Sequence, residues 1–308
     1  MIAGLDYDLF ACIADLGSIS AAADKLGISV PMASKRLARL EARLGTRLIN
    51  RSTRRLALTG AGQQFRDDVV AILNAIQTAE ERLVGATRLL SGPIRVSAPT
   101  SFGRMHVAPY LKPFLDAHPQ VDLELNLTDD LVDLLALGID VAVRIAEVPG
   151  RIAEVPVSGA GPAPGICLLA PNRRILCAAP GYLAHHGTPA ALKDLAQHRT
   201  LAAQGQSPWR LSGPDGPVTV DPRSIVRTNS SEVVRELAIA GMGIALRSLW
   251  DVNADLAAGR LVRVLDAWQG LTDVHIHAAF LPSPSQPRRV TAFIDYLRQL
   301  FQPVPPWE

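Results

Sequence analysis

Residues 18–41 read SISAAADKLGISVPMASKRLARLE. An alanine-rich stretch stops at Gly27, and a second helical stretch starts within three residues. Ser20 is placed to cap the first, Ala21 to Leu26, by accepting a hydrogen bond from an early backbone N–H. Gly27 ends it, because glycine tolerates the left-handed conformation of a tight turn. Ser29 caps the next helix, and Pro31 sits in its first turn, where a missing N–H costs little. At about 100° per residue, Ala33, Leu37, Leu40 and Leu44 share one face and must pack inward. Pro31, Lys35 and Arg39 lie broadly opposite, with Met32, Arg36 and Arg43 on one flank and Ser34 on the other. Upstream, Tyr7, Phe10, Ala11 and Ala14 set a first helix over about 5–16. Two short helices around a glycine turn, the second with a basic outer face, have the geometry that fits a DNA major groove. One such helix alone reads more readily as a solvated charged face.

The next stretch tips the balance. TRLINRSTRRLALT (46–59) carries Arg47, Arg51, Ser52, Thr53, Arg54 and Arg55 around a bend. It is expected to be a β-wing whose arginines and hydroxyls meet phosphates. Basic residues clearly outnumber acidic ones over 1–62, although the whole chain of 308 residues has a formal charge of only +2. Positive charge is therefore concentrated beside the helix that would read the groove.

GSISAAADKLGIS (17–29), PMASKRLARLEARLGTRL (31–48) and NRSTRRLALTGAG (50–62), with the long helix after them, resemble the LysR-type transcriptional regulators. The resemblance continues through nearly the whole chain. It implies a winged helix-turn-helix, a long linker helix, and a two-subdomain α/β effector-binding domain resembling periplasmic binding proteins. The expected DNA-contacting set is Ser20, Ser29, Val30, Pro31, Met32, Ser34, Lys35, Arg36 and Arg39, with Arg51, Ser52, Thr53, Arg54 and Arg55 of the wing. Two positions depart from the family pattern. A glutamine often stands where this chain has Val30, and a phenylalanine where it has Ile49. Val30 offers only apolar contact, for instance to a thymine methyl.

Thr59 is placed to cap a helix from about Gly60 to Leu90. Phe65, Val69, Ile72, Ile76, Ala79, Leu83, Ala86 and Leu90 are spaced by fours and threes, which is a heptad seam. A rod of that length cannot bury its stripe on itself, so it is expected to pair with a second copy. Homodimer and homotetramer both remain open. The alternative is that the stripe packs on the chain's own C-terminal part.

Gly92-Pro93 marks a hinge, after which strand and helix patterns alternate. Strands are expected at 94–98, 121–128, 140–145, 174–179, 225–229, 243–246, 260–265 and 274–280. Helices are expected at about 101–118, 131–137, 231–240 and 287–300. The alternation argues for a parallel, doubly wound sheet. The domain plan is 1–60, 61–91 and 92–301, with one subdomain of about 92–145 plus 274–301 and another of about 172–270. The returning segment is inferred mainly from the resemblance.

The same resemblance places a small effector in the cleft between subdomains, near helix N-termini whose free N–H groups suit a carboxylate. Thr100, Ser101, Thr128 and Arg144 line one side, and Ala202, Ala203, Asn229 and Ser230 the other. Each serine or threonine reads equally as a plain helix cap. Arg144 suits a ligand carboxylate or a nearby acidic side chain. Residues 144–156, RIAEVPGRIAEVP, state a six-residue word twice around a glycine. This reads as a loop insertion in the crossover between subdomains.

Cys12, Cys167 and Cys177 do not make a disulfide framework. Cys177 sits in an apolar strand, which argues against a redox switch. His275 and His277, and the pair His185–His186, lack a third ligand at metal-binding spacing, so no metal and no cofactor are expected. No nucleophile, paired carboxylates or P-loop appears in its required context, which argues against an enzyme. No signal peptide and no apolar run of spanning length are expected, which points to a cytoplasmic protein without membrane partners. The expected function is a regulator binding double-stranded promoter DNA under control of a small effector. The alternatives are a constitutive repressor and a redox-responsive regulator.

Overall fold

The computed structural model describes residues 3–52, 55–84, 89–147, 163–283 and 286–308. The N-terminal domain opens with three helices, Ala3–Leu16, Ile19–Lys25 and Val30–Leu44. Their apolar faces meet in one core of Leu9, Phe10, Ile13, Ala22, Ala23, Ala33, Leu37 and Leu40. Full burial of each large side chain contributes roughly 1.5–3 kcal/mol. The cap of the second helix is Ser18, whose Oγ accepts from the Ala21 N–H at 3.3 Å, and not Ser20. Gly27 has φ +64°, and Ser29 Oγ accepts from the Met32 N–H at 3.4 Å, as the turn and the third helix require. Leu44 differs from expectation. It is exposed, because the helix has run past the core by its last turn and ends at Gly45, φ +66°.

Strands Ile49–Ser52 and Arg55–Leu58 pair antiparallel to form the wing. Glu41 ties it to the third helix: its Oε1 accepts from the N–H groups of Leu48 and Ile49 at 2.9 and 3.1 Å. The linker helix spans Gly60–Val84, with Thr59 Oγ1 accepting from the Gly62 N–H at 2.9 Å. Its first turn lies hard against the wing. A Cβ at Gly62 would stand 1.9 Å from the Leu48 carbonyl oxygen, closer than any real contact. Phe65 and Val69 of the expected seam pack into the N-terminal core, whereas Ile72 and Ile76 are exposed. Leu90 packs on the core of the next domain. Ala86 lies outside the described residues.

The C-terminal half contains two sheets. One runs, edge to edge, 120–127, 91–98, 141–147, 274–280 and 165–171. Its first three strands are parallel, and 274–280 is antiparallel to both its neighbours. The other runs 216–220, 209–213, 269–270, 174–178, 244–248 and 200–201, with 262–263 beside 174–178. Both sheets are therefore mixed and not purely parallel. The return strand 274–280 brings the chain back to the first sheet, and helix Arg288–Phe301 then covers one face with Val290, Phe293, Leu297 and Phe301.

Several elements differ from expectation. The helix expected over 101–118 is broken into Thr100–Phe102, a π turn at Gly103–Val107, a 3-10 turn at Ala108–Tyr110 and Leu111–Ala117. Pro109 lacks the N–H that a continuous helix would use. Where a helix was expected over 131–137, residues 131–133 carry no regular structure and 134–138 form a hydrogen-bonded turn, and 225–229 carry no strand. Strand Gly165–Pro171, the hairpin 209–220, and helices Pro180–His186 and Leu249–Ala257 were not expected. Residues 148–162, which hold most of the tandem word, lie outside the described residues.

Candidate nucleic-acid interface and ligand cleft

The third helix presents the surface its sequence demands. Ala33, Leu37 and Leu40 are buried, while Val30, Pro31, Met32, Lys35 and Arg39 are exposed and Ser34 and Arg36 half-buried. Ser20 and Ser29 are exposed at the starts of the second and third helices. Arg43 is partly engaged already: its guanidinium lies over the Tyr7 ring, 5.4 Å from the centroid. In the wing, Thr53 and Arg54 lie outside the described residues, as do the side chains of Arg51, Ser52 and Arg55. The third helix thus combines three exposed cations (Lys35, Arg39 and Arg43, the last over Tyr7), a half-buried fourth, and small or apolar groups at its N-terminal end. That is the composition a groove-reading helix uses, with cations toward phosphates and short side chains toward base edges.

The expected cleft residues divide between the two sheets. Thr100 opens the broken helix after strand 91–98, and its N–H donates to Asp129 Oδ1 at 2.9 Å. Thr128 Oγ1 accepts from the Asp130 N–H at 3.1 Å. Ser101 is buried. Arg144, 8 % exposed, donates from Nη1 to the Val143 carbonyl at 2.6 Å and from Nη2 to Ser97 Oγ at 2.9 Å. No carboxylate stands within ion-pair distance of it among the described residues. Burial pulls its pKa down to about 10, against a smaller upward pull from Asp129.

On the other side, Ala202 and Ala203 are buried and Asn229 is exposed. Ser230 caps helix Ser231–Ile239, accepting from the Val233 N–H at 3.4 Å. Behind that helix start, Arg247 holds Ser231 Oγ at 2.8 Å and Asp251 Oδ2 at 2.8 Å from Nε. Arg104 pairs with Glu232, joining the two sides of the cleft. Trp250 adds a second link: its Nε1 donates to Asn172 Oδ1 at 3.0 Å, and its carbonyl meets His106 Nε2 at 2.9 Å.

Sequence reasoning missed Ser97, Asp129 and Arg247 at these places. Ser97 and Arg144 meet only through pairing of strands 91–98 and 141–147, so no local signal joins them. Asp129 carried a signal, because an acidic residue just after a strand is well placed to reach a neighbouring N–H. Among the described residues no three histidines, cysteines or carboxylates gather as a metal site, and no helix is long and apolar enough to cross a membrane.

This architecture, a winged helix-turn-helix joined by a long helix to two α/β subdomains, defines a DNA-binding regulator with a regulatory domain of the effector-binding type. Family models described as "Bacterial regulatory helix-turn-helix protein, lysR family" and "LysR substrate binding domain" match residues 6–63 and 87–302. The chain is 32 % identical over 302 residues to the HTH-type transcriptional regulator DmlR of Escherichia coli K12, covering 96 % of this chain and 94 % of that protein. Among solved structures it resembles full-length AphB, the Vibrio cholerae virulence activator, with TM-score 0.58 and 28 % identity over 95 % of this chain and 97 % of that one. It also resembles CrgA from Neisseria meningitidis, with TM-score 0.57 and 26 % identity over 96 % and 97 %. The chain belongs to the LysR family of transcriptional regulators. It is a DNA-binding regulator with an effector-binding domain, and not an enzyme; its family acts as oligomers on promoter DNA.

Proposed function

We propose that this regulator binds its operator through Pro31, Ser34, Lys35 and the third-helix arginines, with phosphates held by Arg51, Ser52, Thr53, Arg54 and Arg55 of the wing. A small anionic effector in the regulatory domain sets the arrangement of the two DNA-binding heads. The third helix carries the DNA half of this reading: its apolar face is in the core and its cations are exposed. Arg144 carries the effector half, a buried guanidinium with no carboxylate at ion-pair distance among the described residues. An isolated buried charge is costly, and a ligand anion would offset that cost.

A gel-shift titration against the DNA upstream of its own gene tests the first half. Affinity is expected to fall steeply with salt, with a log–log slope of about −0.9 per phosphate neutralised. Lys35→Ala should weaken binding while leaving the thermal melt in place. Wild-type affinity in that variant would mean the helix faces the duplex differently.

The constitutive-repressor alternative draws support from Asp129, whose carboxylate already sits on the Thr100 N–H where a ligand anion would dock. Arg144 argues the other way. A thermal-shift screen of small carboxylates separates the two readings. The redox-responsive alternative has little to stand on, because Cys177 is fully buried and burial pushes its thiol up to about 12.

A further inference from the structure

Strand pairing gathers an unusual set of side chains on one face of the five-stranded sheet. Ser97 lies opposite Ala142, Arg144 opposite His277, and His277 opposite Leu168. Residues paired in this way point to the same side, as do residues two apart on one strand. Ser97, Arg144, His277 and Leu168 therefore share a face, with His275 and Ile166 beside them. The opposite face carries Val96, Val143, Ile276 and Ala278 into the core beneath helix Arg288–Phe301.

His277 is the anomaly. It is 2 % exposed, and neither ring nitrogen has a hydrogen-bond partner among the described residues. Each buried unsatisfied group costs about 1–3 kcal/mol, which a leucine here would avoid. Directly across from it stands Arg144, the buried guanidinium without a carboxylate at ion-pair distance. Asp129 is the acidic group acting on that guanidinium, and its Oδ1 is committed to the Thr100 N–H. Arg95, two residues before Ser97, is taken by Asp15 and Glu124. On the flanking strand Leu168 and Ile166 are 47 % and 43 % exposed, an apolar surface beside the polar pair.

We infer that this sheet face holds a small monocarboxylate with a hydrocarbon body. Its carboxylate lies between the Arg144 guanidinium and a His277 N–H, and its hydrocarbon lies against Leu168 and Ile166. The charge count selects one carboxylate: the face supplies one uncommitted cation, and burial keeps His277 neutral, with its pKa at about 4. A second carboxylate would be left unpaired in a poorly solvated place. The inference rests on the anionic-effector reading above and narrows it. The anion moves from the helix start, where Asp129 already sits, to the interior of the sheet face.

Calorimetric titration of the full-length protein with hexanoate, and with adipate as the dicarboxylate counterpart, tests this. Hexanoate should bind more tightly than adipate. His277→Leu and Arg144→Gln should each weaken hexanoate by roughly ten- to a hundredfold, the loss of one charge-assisted hydrogen bond or more. Circular dichroism and thermal melts check folding. Should Arg144→Gln fail to fold, His277→Leu still decides, since it removes two unpaired polar atoms from the interior. Unchanged hexanoate binding in a folded His277→Leu, or tighter binding of adipate, overturns this site and leaves the anionic-effector reading standing. A wild-type protein that shifts DNA but takes up neither acid overturns this site, and silence across the whole screen of small carboxylates overturns the anionic-effector reading with it.

Discussion

At the scale of single residues, two positions decide measurable quantities. Ser18, not Ser20, accepts the early N–H of the second helix, because the chain enters the helix two residues sooner than the alanine run suggests. Ser18→Ala should lower unfolding free energy by about 1 kcal/mol, and Ser20→Ala by less than about 0.5 kcal/mol, in urea titrations. Equal effects would place the cap wrongly. His277 sets a pH dependence. Burial, helped by the neighbouring His275, holds its folded-state pKa at about 4, against about 6.5 when unfolded. As pH falls, the unfolded chain takes up that proton first. The contribution to stability is therefore full above about pH 6.5 and fades toward pH 4, amounting to a loss of about 2 kcal/mol at pH 5. Wild type compared with His277→Leu isolates it. The two should lose stability differently between pH 7.5 and 5, and parallel curves would contradict the assignment.

At the scale of elements, the linker helix divides its own seam. Phe65 and Val69 are committed to the DNA-binding core, while Ile72 and Ile76, one and two turns on, face solvent in the single chain. Paired helices are the expected cover for exposed isoleucines in register. Ile76→Lys should shift the protein toward monomers in light scattering and weaken operator binding, with the regulatory domain still folded. An unchanged oligomer would assign those isoleucines another partner. The helix-turn-helix was legible in sequence because local periodicity, the Ser29 cap and Gly27 specify it within some forty residues. Strand Gly165–Pro171 was not, since its pairing with 274–280 joins residues about a hundred positions apart and a Pro/Gly-rich stretch precedes it. The stretch 225–229 misled in the opposite way. IVRTN has strand composition, but Ile225 is 60 % exposed and Thr228 serves the Gln204 N–H instead of a ladder. Of the proposed ligand site, Arg144 could be singled out from its place late in a strand. Its contacts with Ser97 and His277 could not, because they exist only once three strands are in register.

At the scale of the whole molecule, a regulator needs its ligand-binding half to feel its DNA-binding half, and one carboxylate spans that gap. Asp15, at the end of the first helix, meets Arg66 of the linker helix at 3.0 Å and Arg95 of strand 91–98 at 2.5 Å. Arg95 is anchored in turn: its N–H donates to Asp140 Oδ2 at 2.8 Å, and its Nε meets Glu124 at 3.2 Å. Asp15 is only partly shielded, so each arm is worth at most about 1 kcal/mol and is weakened by salt. Such a pair contributes little to folding but enough to bias two domain arrangements of similar energy. A double-mutant cycle with Asp15→Asn and Arg95→Gln should therefore return a coupling of about 1 kcal/mol in the stability of the DNA-binding domain at low salt. That coupling should fade at high salt, with the melting of the regulatory half unmoved by Asp15→Asn. A coupling of zero at low salt would mean that Asp15 and Arg95 are neighbours without energetic consequence. The signal between the halves would then have to run through the linker helix alone.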